Sequence, residues 1–249
     1  AENQMKITYS TISKTGKRSN NEDAFNVIDV PEKGCWMGIV CDGMGGQNKG
    51  DYASTLGLNI LKDAFLSKRK FYNKLSVLRW FAKTIRLINK TVYNESTSDQ
   101  TYQGMGTTMT AVVILPTFFA VAQIGDSRAY ILRNRVLTQI TEDQTLVNYL
   151  YKTGKITKDE MRTHPKRHIL MNAIGTYAIC DADINVHDYN DESLLLCSDG
   201  LINNVKERDI ESILKGEDTT EQKTNELISL ANANGGSDNI AVVLWEAQK

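Results

Sequence analysis

The run Trp36 to Cys41 is almost wholly apolar and stops at Asp42, which is followed by Gly43, Met44, Gly45 and Gly46. A short apolar run bounded by a glycine turn predicts a strand buried on both faces. A carboxyl at the exit of such a strand stands at the border of the core, and the glycines beyond it permit positive φ and close backbone approach. Acids stand at comparable junctions in Gln123-Ile124-Gly125-Asp126, Leu196-Cys197-Ser198-Asp199 and Gly235-Gly236-Ser237-Asp238. Whatever the chain folds into has to bring buried strand ends and their acids into some relation.

The size permits a substantial core: 249 residues are enough for one large domain or two small ones, and no linker, repeat or low-complexity tract divides them. One domain over residues 1–249 is expected. Lysine and arginine total 29 against 30 acids, so no global field favours nucleic acid or an anionic membrane. Cys35, Cys41, Cys180 and Cys197 show no C-x-x-C spacing, which predicts reduced core thiols and a cytoplasmic setting. No apolar run approaches the roughly 18 residues of a membrane span, and the first residues lack a signal pattern.

Taken in order, Met5 to Thr11 and Ala24 to Val30 read as strands around the polar turn from Gly16 to Asp23, followed by the central strand ending at Cys41. Apolar residues at helical spacing predict helices from Asp51 to about Leu66 and from about Phe71 to Asn94, with stripes that belong to the core. Thr107 to Leu115, Phe118 to Gln123 and Ala129 to Leu132 are rich in β-branched and aromatic residues with short connections, predicting an antiparallel meander. A long segment, about residues 141–179, reads as a functional flap. Strands at Asp183 to Val186 and Leu194 to Cys197, helices at Glu207 to Leu214 and Thr220 to Asn232, and a last strand at Ile240 to Trp245 complete the chain. The order predicts α+β with segregated layers.

Carboxylates gathered in a cleft repel one another unless a cation compensates, and oxygen donors without cysteine or histidine favour magnesium or manganese. Asp42, Asp126, Asp199 and Asp238 are the candidates, with Glu22 and Asp23 beside them. Any one of these acids alone is equally a turn or helix-capping residue. The set as a whole is harder to explain that way.

The ordered series Arg18-x-x-Asn21-Glu22-Asp23, Asp42-Gly43-Met44-Gly45-Gly46, Gly106-Thr107-Thr108, Gly125-Asp126-Ser127-Arg128, Ser198-Asp199-Gly200 and Ser237-Asp238-Asn239 resembles the motifs of the metal-dependent PPM, or type 2C, protein serine/threonine phosphatases of bacterial type. The resemblance implies a four-layer α-β-β-α sandwich, with two antiparallel sheets flanked by helix pairs. It implies a two-ion Mg2+ or Mn2+ site in which Asp42 bridges, the Gly43 carbonyl binds one ion, Glu22 and Asp23 support the first ion, and Asp199 and Asp238 hold the second. Asp126 with Asp199 would take a third ion, and Arg18 would grip the phosphate. The implied substrates are phosphoserine and phosphothreonine proteins, the targets of a serine/threonine kinase. Nothing in the sequence demands a partner chain, so a monomer is expected, and the charge balance predicts neither nucleic acid nor membrane as a partner.

The residues fit the chemistry in their own right. Phosphate monoesters are dianions whose uncatalysed hydrolysis is among the slowest known. Divalent ions lower the pKa of bound water and clamp the phosphate oxygens, and an arginine fork matches phosphate geometry. Two positions depart from the family pattern. Gln47 stands where bacterial-type members usually carry a histidine thought to protonate the leaving oxygen, and an amide cannot do this. His164 and His168 of the flap are substitute donors to consider, although loop histidines are ordinarily just polar. Gln144, after Asp143, also replaces a more usual histidine. Two alternatives stand beside the phosphatase: a weakened phosphatase fold that binds or regulates phosphoproteins, and a hydrolase of small phosphate esters.

Overall fold

The computed structural model describes residues 7–46 and 49–248. Strand β1 (Ile7–Lys14) leads through a polar turn to β2 (Asp23–Val30) and β3 (Cys35–Met44), then to helices α1 (Lys49–Ser67) and α2 (Lys74–Ser98). Strands β4 (Gly106–Thr107), β5 (Met109–Ile114), β6 (Phe118–Ile124), β7 (Arg128–Arg133) and β8 (Val136–Gln139) follow. Helices α3 (Leu146–Lys152) and α4 (Lys158–Thr163) lie in the flap, before β9 (Asp183–Asp188) and β10 (Ser193–Cys197). The chain then runs through α5 (Asp199–Ile202), α6 (Glu207–Lys215), α7 (Thr220–Ala233) and β11 (Ile240–Ala247).

Two antiparallel sheets result, one ordered β1-β11-β10-β7-β8 and the other β2-β3-β5-β6-β9 with β4 beside β3. Period-two alternation explains the layering. Trp36, Val40, Val112, Val121, Leu196, Val243 and Trp245 fill the space between the sheets, while Met37, Ile39, Cys41, Val113 and Ala122 face α1 and α2. On the far side Leu195, Val242 and Leu244 meet α6 and α7 through Ile210, Leu214, Leu227 and Ile228. The predicted α-β-β-α sandwich is therefore present. Gly38 sets its sheet spacing: a Cβ there would lie 1.9 Å from the Trp245 ring, which is fully buried.

Several expectations change. β5 and β6 pair, but β7 lies in the other sheet, so the three do not form a meander. Phe119 and Val121 of β6 and Ala129 and Ile131 of β7 share the central core while their opposite faces meet different helix layers. Alternation reveals which face is buried but not which sheet a strand joins. The crossing is made at Gly125, whose φ of 95° and 2.6 Å approach of a notional Cβ to Thr108 leave no room for a side chain. Half-exposed β8 and one-turn α5 carry too little periodicity to be read from sequence. Helix α2 starts at Lys74 rather than Phe71, because Asn73 and Ser76 form a reciprocal capping box.

The flap closes on itself at its base, where Met171 N donates to Gln144 O at 2.8 Å and Leu146 N to Ile169 O at 2.9 Å. Its return is anchored by buried Asn89 of α2, which accepts from Gly175 N at 2.8 Å and donates to Tyr177 O at 3.0 Å. All four cysteines are buried thiols, and burial pushes Cys35 and Cys180 up to about 11 and Cys197 to about 12. Among the described residues, no helix is long and apolar enough to cross a membrane.

Candidate metal centre

At one edge of the sandwich Asp23, first residue of β2, stands opposite Asp42 near the end of β3. Asp199 joins them from the other sheet, at the start of α5 directly after β10. The Asp42 carboxyl lies within hydrogen-bonding reach of both Asp23 and Asp199. Asp23 Oδ2 accepts from Ser198 Oγ at 2.7 Å, and that hydroxyl oxygen accepts from Ala241 N at 2.9 Å, tying the two sheets together under the acids. Asp23 Oδ1 and Asp199 Oδ1 are buried without a hydrogen-bond partner among the described residues.

Asp42 is held by its backbone. Its N–H donates to Thr108 Oγ1 at 2.9 Å, and its carbonyl accepts from Thr108 N at 2.9 Å and Thr107 Oγ1 at 3.2 Å. The two threonines thus aim this aspartate. Glu22 comes in from the β1–β2 turn. Its carbonyl accepts from Gly43 N at 3.1 Å and Ser54 Oγ at 2.8 Å, and its carboxyl takes a hydrogen bond from the Gly50 backbone at the start of α1. A Cβ at Gly50 would lie 2.8 Å from the Glu22 carboxyl carbon and 2.9 Å from the Gly43 carbonyl oxygen, so the missing side chain leaves the space on which those two oxygen donors converge.

Asp238 stands at the entry of β11, not at the exit of an apolar run as its neighbours do. Its Oδ2 accepts from Arg18 Nη2 at 3.0 Å, and that arginine side chain is 60% exposed. Lys17 N donates to Gly236 O at 2.8 Å, so the loop carrying Arg18 is seated on the glycine turn before Asp238. Asp126, in the crossover between β6 and β7, lines a cleft of about 690 Å³ with Arg18, Asp199, Asp238 and flap residues. Gln144 steadies the crossover, accepting from Gly125 N through Oε1 at 2.8 Å and donating its own N–H to Gly125 O at 2.9 Å.

Burial without compensation shows in the acids. Burial first, and then the neighbouring carboxylates, push Asp23 up to about 7 and Asp126 to about 8, and hold Asp42 well above the usual range. Asp199 and Glu22 are raised chiefly by burial as well. A divalent cation would remove this strain, and the donors suit a hard one: all are oxygens, and two of them are buried and unpartnered. Among the described residues, no group of three or more His, Cys, Asp or Glu is drawn in closely enough to enclose an ion unaided. Magnesium takes one or two carboxylates and completes its shell with water, so the open arrangement with the Gly43 carbonyl fits that habit.

Five of the predicted acids, Glu22, Asp23, Asp42, Asp199 and Asp238, thus gather with Gly43 at one edge, with Asp126 on the cleft wall and Arg18 engaged by Asp238. Gln47 lies outside the described residues. His164 is folded into its own turn, its Nδ1 accepting from Lys166 N at 3.1 Å, whereas His168 lines the cleft and is felt by Asp199. Arg128 holds Asp143 through Nη2 at 2.6 Å and Nε at 2.8 Å, and reaches Glu207 at 3.3 Å.

One organising residue was not singled out from the sequence. Asn239 accepts from Glu22 N at 2.8 Å and donates to Asn20 O at 2.8 Å and Thr15 O at 2.9 Å, fastening the whole Arg18–Glu22 loop to β11. The only signal was its place after Asp238. Asn239→Ala is expected to cost about 2–4 kcal/mol by leaving these half-buried groups unpaired, a fall in Tm of roughly 5–12 °C measurable by thermal denaturation.

The protein phosphatase 2C family model matches residues 13–244. The serine/threonine phosphatase stp of Listeria monocytogenes is 39% identical over 230 residues, 92% of this chain and 91% of that protein. The crystal structure of the serine/threonine phosphatase Stp1 from Staphylococcus aureus superposes with a TM-score of 0.92 at 33% identity, covering 98% of this chain and 96% of that one. The catalytic domain of the serine/threonine protein phosphatase PstP, solved in complex with two manganese ions, gives a TM-score of 0.84 at 29% identity, covering 98% and 99% of the two chains.

Proposed function

The chain belongs to the protein phosphatase 2C family, and on that premise we propose that it hydrolyses phosphoserine and phosphothreonine on proteins, using two divalent ions held at the Asp42 edge. The observation that carries this reading is the carboxylate cluster of Asp23, Asp42 and Asp199, each raised chiefly by burial, in which two oxygens have no hydrogen-bond partner among the described residues. Asp42 would bridge the ions, Glu22, Asp23 and the Gly43 carbonyl would serve the first, and Asp199 and Asp238 the second. Asp126 with Asp199 would hold a third, weaker ion. When bound, magnesium or manganese supplies Lewis acidity that makes water nucleophilic near neutral pH and offsets the charge of the phosphate.

The protein's own part is positioning. Ser198 and the two threonines fix Asp23 and Asp42 before any ligand arrives, which spares reorganisation during the reaction. Arg18 would exchange Asp238 for the substrate, laying its planar fork on two phosphate oxygens once Asp238 is engaged by a cation. The serine or threonine alkoxide is a poor leaving group and needs a proton. Gln47 cannot provide one, and His168 is the flap imidazole that faces the cleft.

The substrates would be targets of a serine/threonine kinase, met in the cytoplasm by a monomer with no need of nucleic acid or membrane. No observation favours the non-catalytic binding module or the small-ester hydrolase. Release of phosphate from a phosphothreonine peptide with manganese, stopped by chelator, tests the proposal; metal binding with no release would overturn it. Gln47→His is expected to raise peptide turnover about tenfold or more and to change aryl phosphate turnover less, because an aryl oxide leaves without a proton. Equal effects on both substrates would exclude a shortage of acid as the limit on rate.

A further inference from the structure

The cleft has a wall that phosphate chemistry at its floor does not use. Lys158 and Arg162 stand four residues apart on one face of α4, Arg167 follows on the flap, and Lys206 faces them from the turn before α6. All four are exposed, and none has an acidic partner among the described residues. Of the acids that line the cleft, Asp143 and Glu207 are held by Arg128 and Asp238 by Arg18, while Asp126 and Asp199 belong to the carboxylate cluster. None of the four cations figures among the main electrostatic influences on Asp23, Asp42, Asp126 or Asp199.

Four unpaired like charges on one cleft repel each other and are held there against that repulsion. The chain as a whole carries a formal charge of only −1, so the wall is a local concentration and not a reflection of composition. Its position beyond the phosphate-cleaving floor, on the rim that a peptide must cross, indicates what it meets.

We propose that the Lys158, Arg162, Arg167 and Lys206 wall selects phosphopeptides that carry a second anionic group close to the phosphoresidue being hydrolysed. This rests on the phosphatase reading and narrows its substrate class. The second group is another phosphate or a cluster of carboxylates. Arg162 and Arg167 offer planar forks suited to phosphate oxygens, whereas Lys158 and Lys206 act as point charges toward either. Because the wall is solvent-exposed, its effect acts through capture and is screened by salt.

The test uses the manganese-loaded protein and four phosphothreonine peptides of equal length, with neutral flanks, glutamate flanks, a second phosphothreonine, or lysine flanks. The expected result is a kcat/KM about tenfold higher for the anionic peptides than for the neutral one at low salt, carried by KM and largely lost above about 0.5 M salt. In Lys158→Glu/Arg162→Glu the order of anionic and lysine-flanked peptides should invert within the same preparation. A gain confined to the second phosphothreonine assigns the wall to phosphate, and an equal gain with glutamate assigns it to charge as such. Equal kcat/KM for all four peptides would overturn the proposal while leaving the phosphatase reading standing. No release from any peptide would overturn both.

Discussion

Asp42→Asn is expected to lower manganese-supported turnover of a phosphothreonine peptide at least about a thousandfold, since it removes the carboxylate proposed to join both ions. The same substitution should stabilise the protein in chelator. The introduced asparagine would keep the backbone bonds to Thr107 and Thr108, and its amide can still donate toward Asp23 and Asp199, but it cannot ionise beside them. Thermal denaturation at pH 8 in chelator should place the variant above the wild type, and manganese should reverse that order. A variant that is inactive and also less stable in chelator would mean that Asp42 matters for folding and not for cation binding.

The second large effect concerns pH and metal removal together. Asp23, faced by Asp42, Asp199, Asp238 and the Ser198 hydroxyl, has its carboxyl raised from 3.8 to about 7. Asp126, faced by Asp199, Asp143 and Arg128, is raised to about 8. An acid raised on folding binds its proton more tightly in the folded state than in the unfolded one. Its contribution to stability is therefore complete below about pH 4 and is lost as pH rises through 7 to 8. Divalent cations compete with those protons, so they act in the opposite sense and stabilise more as pH rises. The gap in Tm between manganese-loaded and chelated protein should be small at pH 5 and on the order of 10 °C at pH 8. Other ionisable groups affect both preparations alike and cancel in the difference. A gap independent of pH would remove the carboxylate cluster as the place where the metal acts.

Much of the architecture was legible because long elements bury one continuous face. The stripe of Phe81, Ile85, Ile88 and Val92 and the run ending at Cys41 are regular enough to place a helix and a central strand from spacing alone. The path from β6 to β7 was not legible, since choosing between two sheets depends on contacts between residues far apart in sequence. The acids were visible as strand-end and turn residues, and their ordered motifs supplied the expected roles. What holds them was harder to see. Asn239, Ser198 and Thr108 are small polar residues whose importance lies in partners up to 224 positions away, and no local pattern encodes such a partner. The cationic wall was hidden for the same reason, because Lys206 meets the flap only in three dimensions.

The pairing of β1 with β11 has a consequence for synthesis. β1 is an edge strand that pairs, among the described residues, with β11 alone, and Asn239, at the threshold of that strand, ties down the loop bearing Arg18 and Glu22. A nascent chain that has emerged only as far as α7 therefore has an N-terminal strand with nothing to pair with and neither Asp238 nor Asn239 to finish the site. Contacts that span nearly the whole sequence are slow to form and cannot begin until their later partner exists. That edge of the sandwich is thus completed only after β11 has been made.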